Sequence, residues 1–209
     1  MLPTELVRWI SLALFLAYVF GAVTTARGRP RERKPPDSRA SRPLSLLTGP
    51  VWEVLILAAG VSLVLASIWP EWMYTGPLNV SFPGDSIAQI LGLVAWLAGG
   101  ALFSWSTRVL GKRTRIEILV TRDHQLETSG PYRWIRHPMY SAVLLLSGGL
   151  AVFLLNGGLG VLFLLTLTGA WRRALTEEDL LASEEAFGSE YQAYMRRTGR
   201  FLPRIGPAR

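Results

Sequence analysis

The stretch "YSAVLLLSGGLAVFLLNGGLGVLFLLTLTGAW", residues 140–171, is apolar and contains no charged residue. A helix that crosses a bilayer needs about 20 mainly apolar residues, so this run is too long for one span and short for two spans with a loop. The triplet "NGG" at positions 156–158 interrupts the run, and Asn and Gly mark turns. The pattern therefore predicts a tight hairpin of two short helices.

Three further apolar runs, residues 6–26, 51–69 and 87–110, are long enough to cross a membrane. Half of the chain is hydrophobic and 18% is charged, whereas a soluble domain has a charged share of about 25%. We therefore expect an all-α integral membrane protein with five transmembrane helices, of which the last two form the hairpin.

The last quarter of the chain is more polar. Residues 176–197 are predicted to form a cytoplasmic amphipathic helix that is too polar to span a membrane, with its apolar side formed by Leu180, Leu181, Phe187, Tyr191 and Tyr194. We expect residues 1–209 to form a single membrane domain. Its parts are two N-terminal helices with a basic, Pro- and Arg-rich loop (residues 1–86, loop 27–48) and a core (residues 87–209).

The loops predict the orientation of these helices. The 27–48 loop and the segment after residue 107 are rich in Lys and Arg, and the chain after residue 171 is rich in charge. Residues 69–86 contain neither Lys nor Arg. Because basic loops stay in the cytoplasm, the N-terminus is expected outside and the C-terminus in the cytoplasm. A composition heavy in Ala, Gly, Leu and Arg suggests a bacterial inner membrane.

Composition also bounds the chemistry. The chain has no cysteine, which excludes disulfides and thiol nucleophiles, and its two histidines give little basis for a metal centre. The basic residues lie in short segments between apolar runs, a pattern that fits orientation in a membrane better than nucleic-acid binding. We therefore expect membrane lipids as partners, no nucleic acid and no metal; the oligomeric state is not predicted.

Three polar groups are expected on one membrane face: "RDHQLETSGPYRWIRHPMY" (residues 122–140), Arg172 with Arg173, and Glu177 with Glu178. Pro138 suits a first helical turn, whose free N–H groups can receive an anion. Arg173 and Glu177 are four residues apart and share a face if the helix continues. Arginines at span ends are usually topology anchors, here Arg133, Arg136, Arg172 and Arg173. An acidic pair is usually a solvated helix start. Only the order and combination of the three groups favour a site.

In two stretches, "HQLETSGPYRWIRHPMY" (residues 124–140) and the tail "EE…FGSEYQAYMRRTGRFLP", the chain resembles the isoprenylcysteine carboxyl methyltransferase family and its bacterial relatives, which include phospholipid methyltransferase-like proteins. The resemblance covers residues from about 92 to 203. It implies a membrane-embedded methyltransferase that binds S-adenosyl-L-methionine on its cytosolic side, under the C-terminal helix. The chain has no Gly-rich turn of a soluble dinucleotide-binding fold, in agreement with this.

The resemblance also assigns residues to the site. It implies cofactor binding by His124, Gln125, Leu126, Glu127, Tyr132, His137, Pro138, Met139, Tyr140, Glu177 and Glu178. The interval between the acidic pair and "FG" is two residues longer than the family pattern, so an alignment from "FG" would begin the pair at Asp179. Glu177 is preferred because it keeps the Arg-x-x-x-Glu spacing; the choice among Glu177, Glu178 and Asp179 stays open.

Two residues are expected to be catalytic. Arg173 matches an arginine directed toward the methyl acceptor, and an anionic carboxylate acceptor would need only such orientation. A neutral amine or hydroxyl would need a base, for which His137 is the candidate by residue type. The acceptor's chemistry (carboxylate, amine, thiol or hydroxyl) is not readable from the sequence.

The leading hypothesis is methyl transfer from S-adenosyl-L-methionine to a lipophilic acceptor that enters from the bilayer: an isoprenoid or prenylcysteine-type carboxylate, or a lipid. A second hypothesis is a sterol-type membrane reductase that uses NADPH, because such proteins look similar near an Arg-His-Pro-x-Tyr segment. A third is a non-catalytic membrane protein whose basic loops bind anionic lipid headgroups.

Overall fold

The computed structural model describes residues 1–28, 38–41, 50–111, 119–121 and 126–204. Within these ranges the chain is mainly helical. The elements in order are α1 (Thr4–Gly28), β1 (Ser38–Ser41), α2 (Pro50–Ile68), α3 (Pro70–Met73), α4 (Asp85–Leu110), β2 (Leu119–Thr121), a 3₁₀ helix (Gly130–Arg133), α5 (Pro138–Leu154), α6 (Gly157–Leu181) and α7 (Ser189–Arg197).

The helical class was predicted correctly, and α1, α2 and α4 begin and end within about two residues of three predicted spans. One small addition was not predicted. The strands β1 and β2 pair antiparallel, because two extended segments brought alongside each other satisfy their backbone groups by pairing.

The predicted break at "NGG" separates α5 from α6. Leu155 has a φ of 48°, and Asn156 caps α6 by accepting a hydrogen bond from the N–H of Leu159 at 3.2 Å. The Asn156 amide also donates to the carbonyl of Met73 at 2.7 Å. This turn is therefore fixed both by its own cap and by the end of α3.

The amphipathic helix predicted over residues 176–197 is wrong as a single element. Residues 176–181 are the last turns of α6, and α7 starts only at Ser189. No Gly or Pro lies between positions 170 and 187 to end α6 early. The new direction is set at Gly188, whose φ of 52° favours glycine.

Helices α4 and α5 approach closely through glycines. A Cβ atom on Gly149 would lie 2.7 Å from the Gly92 carbonyl oxygen and 2.7 Å from the Trp96 nitrogen. Larger residues would separate the helices, as at small-residue contacts in membrane proteins. A buried apolar cluster continues from this contact to α1, α2 and α6, and includes Val7, Leu14, Leu63, Trp96, Leu150, Phe153 and Leu159.

In the described part of the chain, two helical segments are long and apolar enough to cross a membrane, Thr4–Thr24 and Asp85–Leu110. The apolar segments Leu57–Ile68 and Pro138–Leu154 are shorter. The α5–α6 turn lies with the start of α4 at one end of the molecule, where the Gln89 amide donates to the Phe153 carbonyl at 3.0 Å. The other end brings together the start of α5, the end of α6, α7 and the tail that follows it.

Candidate active site

The first turn of α5 contacts the last turns of α6 through a chain of polar groups. The Arg173 Nε donates to the Tyr140 hydroxyl at 2.8 Å, and that hydroxyl donates to Glu177 Oε1 at 2.7 Å. Because α6 is continuous from Gly157 to Leu181, Arg173 and Glu177 lie on the same helix face, as their spacing predicts. The Arg173 side chain is buried, so it is not a membrane-surface anchor.

His137 joins the two glutamates. Its Nδ1 lies 3.2 Å from Glu177 Oε2, and its Nε2 lies 3.2 Å from Glu178 Oε1. A neutral imidazole has one N–H, whereas the protonated ring has two, so this geometry fits the imidazolium ion. Burial lowers the pKa of His137, but the hydrogen bonds to both carboxylates outweigh burial and raise the pKa above its ordinary value. The arrangement therefore favours a fixed cation over a base.

Glu178 is the buried centre of an ionic cluster, with 3% of its side chain exposed. It accepts from Arg136 Nε at 2.8 Å, from Arg200 Nη2 at 2.6 Å and from His137. Burial would raise the pKa of Glu178, but the hydrogen bonds from these three residues hold it well below its ordinary value. Since a carboxylate accepts about four hydrogen bonds, this one is nearly saturated by the protein.

Glu177 differs from its neighbour. Its side chain is 24% exposed, and it contacts His137 and Tyr140. Burial would raise the pKa of Glu177, but the hydrogen bonds from His137 and Tyr140 and the charges of His137 and Arg173 lower it. The site thus holds an anionic, partly accessible carboxylate at Glu177, whereas Asp179 points to the exposed surface.

The tail after α7 runs beside the start of α5. The N–H of Arg136 donates to the Gly199 carbonyl at 2.8 Å, and the N–H of His137 donates to the Arg200 carbonyl at 3.1 Å. The Ser141 hydroxyl donates to the Phe201 carbonyl at 2.6 Å. These bonds fix the backbone around His137 against a segment distant in sequence.

The remaining predicted residues lie around this cluster. Tyr132 is buried in the 3₁₀ helix, and burial and the charge of Glu177 raise the pKa of its phenol, which stays neutral. Pro138 is the first residue of α5, whose start has no side-chain cap, and Met139 follows it half-buried.

The predicted cofactor loop is described only in part. Leu126 and Glu127 are half-buried, and Glu127 accepts from the Ser129 N–H at 3.0 Å. His124 and Gln125 lie outside the described residues.

Sequence reasoning missed two members of the cluster. Arg136 was interpreted as a topology anchor, which is wrong: its side chain is 9% exposed and bonds to Glu178 and to the Met195 carbonyl. Arg200 had no assigned role, and only its place in the tail that resembles the family pointed to the site.

Arg133 and Arg172 are exposed, consistent with anchoring. Tyr191 and Tyr194 were predicted to be packing residues, and their burial confirms this.

Comparison with known proteins identifies relatives. A family model for phospholipid methyltransferase matches residues 87–189. Protein-S-isoprenylcysteine O-methyltransferase of Homo sapiens is 42% identical over 163 residues, covering 74% of this chain and 51% of that protein. The Rattus norvegicus protein of the same name is 31% identical over 162 residues, with the same two shares. The chain thus spans about half the length of the curated relatives it matches.

A solved structure shows the same fold. The eukaryotic intramembrane Ras methyltransferase, isoprenylcysteine carboxyl methyltransferase, matches with a TM-score of 0.54 at 21% identity, covering 74% of this chain and 53% of that one. This fold agrees with the helices described above. The chain is therefore similar to the isoprenylcysteine carboxyl methyltransferase-like family of membrane proteins.

Proposed function

We propose that the protein is an integral membrane methyltransferase that binds S-adenosyl-L-methionine and methylates a lipophilic acceptor at the cytoplasmic membrane face. The observation that carries the proposal is the chain of hydrogen bonds Arg173–Tyr140–Glu177. It joins the buried guanidinium of Arg173 to the partly exposed carboxylate of Glu177, where α5 begins and α6 ends. Similarity to the family supports the same reaction class. The matches give no support to the reductase or the lipid-binding hypothesis.

The residues of the site fit the proposed cofactor. S-adenosyl-L-methionine, when bound, supplies an activated methyl group on a sulfonium sulfur. The anionic Glu177 would hold its amino group or ribose hydroxyls. We prefer Glu177 to Glu178, because Glu178 is nearly saturated by protein donors, and to Asp179, which is exposed. The first N–H groups of α5, which have no side-chain cap, would receive its carboxylate.

Tyr132, Pro138, Met139 and the residues 124–127 would complete the cofactor-binding set. Tyr132 lies close enough to Glu177 for the carboxylate charge to help raise the pKa of its phenol, which stays neutral. His124 and Gln125 are assigned to the cofactor by the family resemblance alone. The set as a whole would surround the cofactor with aromatic and backbone groups that keep water out, which methyl transfer requires.

The acceptor is proposed to be an isoprenoid or prenylcysteine-type carboxylate. Such an anion needs orientation and no proton removal, and Arg173 would align it through parallel hydrogen bonds. His137 faces a carboxylate through each ring nitrogen, so it is a poor base for an amine or hydroxyl acceptor. Holding the acceptor in line with the methyl group is the main contribution asked of the protein.

The membrane arrangement belongs to the proposal. Helices α1, α2, α4 and α5 and the apolar part of α6 up to Trp171 would each cross the bilayer, α5 and α6 as a hairpin. The N-terminus would lie outside, and the site would face the cytoplasm of a bacterial cell. Exposed apolar side chains on α4, such as Leu91, Val94 and Leu97, would face lipid. The acceptor would enter from the bilayer and the cofactor from the cytosol.

A methyl-transfer assay tests this function. Purified protein, labelled S-adenosyl-L-methionine and extracted membrane lipids should give a lipid-soluble labelled product that alkali releases as methanol, as a methyl ester requires. The Glu177→Gln variant should transfer much less labelled methyl group to the lipid than wild type does. A product stable to alkali would contradict the carboxylate acceptor, and no product from any lipid fraction would contradict the methyltransferase.

A further inference from the structure

The tail residue Arg200 bonds to Glu178 with two nitrogens, its Nε at 3.1 Å from both carboxylate oxygens and its Nη2 at 2.6 Å from Oε2. The guanidinium carbon also lies 4.7 Å from the centre of the Trp171 ring on α6. A planar guanidinium that is both forked onto a carboxylate and stacked on an aromatic ring has little freedom. Arg200 therefore fixes the carboxylate of Glu178 in one orientation.

Among the described residues, the side chain of Glu178 reaches the proposed site through its hydrogen bond with His137. Its other partner, Arg136, is turned toward the carbonyl groups of Met195 and Thr198 rather than toward Glu177. The His137 ring is stacked on Tyr140 with 5.3 Å between ring centres and meets the edge of Phe201 at 6.2 Å. A shift of Glu178 would therefore turn the ring that donates to Glu177.

We propose that Arg200 is a positioning residue, which acts through Glu178 to hold the His137 ring in place beside the carboxylate of Glu177. The inference rests on the proposed function, in which Glu177 holds the cofactor. It adds a residue outside the predicted site, on a different segment of the chain. It also assigns different tasks to the adjacent acids, since Glu177 meets the cofactor and Glu178 orients the histidine.

The charges around His137 make the proposal testable without any cofactor. The charged and titratable groups that face the ring or its two glutamates are Arg136 and Tyr140 at the start of α5, Arg173, Glu177 and Glu178 on α6, Tyr191 on α7, Tyr132 in the 3₁₀ helix and Arg200 on the tail. Glu178 favours the protonated ring directly. Arg200 opposes it indirectly, because its charge offsets that of Glu178.

The test is nitrogen NMR of the histidine rings in the full chain, labelled with ¹⁵N-histidine and held in lipid nanodiscs without cofactor. The chain has two histidines, so a His124→Ala sample assigns the His137 signals. We expect both ring nitrogens to be protonated at neutral pH. Glu178→Gln should lower the pH at which the ring loses its proton by about one unit or more. Arg200→Met should lower it as well, because a turned ring loses its hydrogen bond to Glu177, whereas removal of the Arg200 charge alone would raise it.

Two further variants and a binding measurement complete the design. Arg200→Lys retains the charge and should stay near the wild-type midpoint, and exposed Arg197→Met is the matched control, which should leave it unchanged. S-adenosylhomocysteine should bind Arg200→Met more weakly, by roughly 10- to 100-fold, because a misplaced group costs affinity. Arg200→Lys should recover part of that loss.

The outcomes separate the two proposals. If Arg200→Met leaves the midpoint unchanged or raises it, or if the wild-type ring is neutral at pH 7, the positioning role is overturned. If the midpoints move as expected but the wild-type protein does not bind S-adenosylhomocysteine, the positioning of His137 stands and the methyltransferase proposal fails. If Arg200→Met does not fold, the comparison of Arg200→Lys with Glu178→Gln decides, because only the second should lower the midpoint.

Discussion

The Tyr140 hydroxyl on α5 donates a hydrogen bond of 2.7 Å to Glu177 on α6. This bond joins the two polar ends of the apolar stretch from which the fold was predicted. The same hydroxyl accepts from the buried Arg173, so one phenol connects the residue proposed for the acceptor with the residue proposed for the cofactor.

Tyr140→Phe should therefore weaken cofactor binding. Removing a neutral donor from a carboxylate costs about 1.5–3 kcal/mol, so the Kd for S-adenosylhomocysteine should rise by roughly 10-fold or more. Calorimetry of the purified protein measures this. Tyr74→Phe is the matched control: it removes a buried hydroxyl bonded to the Leu2 carbonyl at 2.7 Å, at the opposite end of the molecule. Equal Kd values for Tyr140→Phe and wild type would contradict the assigned site.

Arg173→Met should affect the acceptor more than the cofactor. Loss of a charged donor that orients the reacting group lowers turnover by roughly 10²–10³-fold, while the Kd for S-adenosylhomocysteine should change little. The neighbouring Arg172, which is exposed, provides the control Arg172→Met, with turnover near wild type. If Arg173→Met lost affinity for the cofactor and retained turnover at saturating cofactor, Arg173 would be assigned to the cofactor and not to the acceptor.

The glutamate cluster predicts how stability depends on pH. Because folding lowers the pKa of Glu178, its stabilisation is present above the unfolded value of about 4.3 and is lost as pH falls through the folded value. His137 has the opposite sign: its raised pKa gives stability that is present below about 6.5 and lost as pH rises through the folded value.

Thermal unfolding of wild type and Glu178→Gln across a pH series measures this dependence. The difference in Tm between wild type and Glu178→Gln should be largest between pH values of about 4.3 and about 6.5. It should shrink above and below this range, most clearly in acid. A difference in Tm that stays constant with pH would mean that Glu178 contributes by packing and not by its charge.

The contact between α4 and α5 gives a prediction about stability alone. Gly149→Ala would place a methyl group 2.7 Å from backbone atoms of Gly92 and Trp96, and such overpacking costs about 1–3 kcal/mol. Gly100→Ala has no atom within 4 Å of the new Cβ and should be neutral or slightly stabilising. Thermal unfolding in one detergent compares the two, and an equal Tm would contradict the close approach of the helices.

The sequence was most informative where a local pattern determines structure. Apolar runs placed the long helices, and Asn156 with its glycines placed the turn between α5 and α6, because length and turn chemistry are local properties. The start of the amphipathic helix was misplaced: it was predicted at residue 176, which lies in α6, whereas α7 begins at Ser189. A charged surface pattern does not show where one helix ends and the next begins.

The ionic partners could not be predicted in this way. Arg136 and Arg200 reach Glu178 from positions 42 and 22 residues away in sequence, and nothing next to an arginine distinguishes a buried partner from an anchor. The family resemblance did bring His137, Tyr140, Arg173 and Glu177 into one proposed site, and the structure places their side chains in contact.

The central claim is that Glu177 holds S-adenosyl-L-methionine, and calorimetry with S-adenosylhomocysteine tests it most directly. Wild type should bind, Glu177→Gln should bind at least about 10-fold more weakly because a charged hydrogen-bond acceptor is lost, and Asp179→Asn should bind as wild type does. No binding to wild type at millimolar concentration, or an affinity lost in Asp179→Asn and retained in Glu177→Gln, would contradict the account.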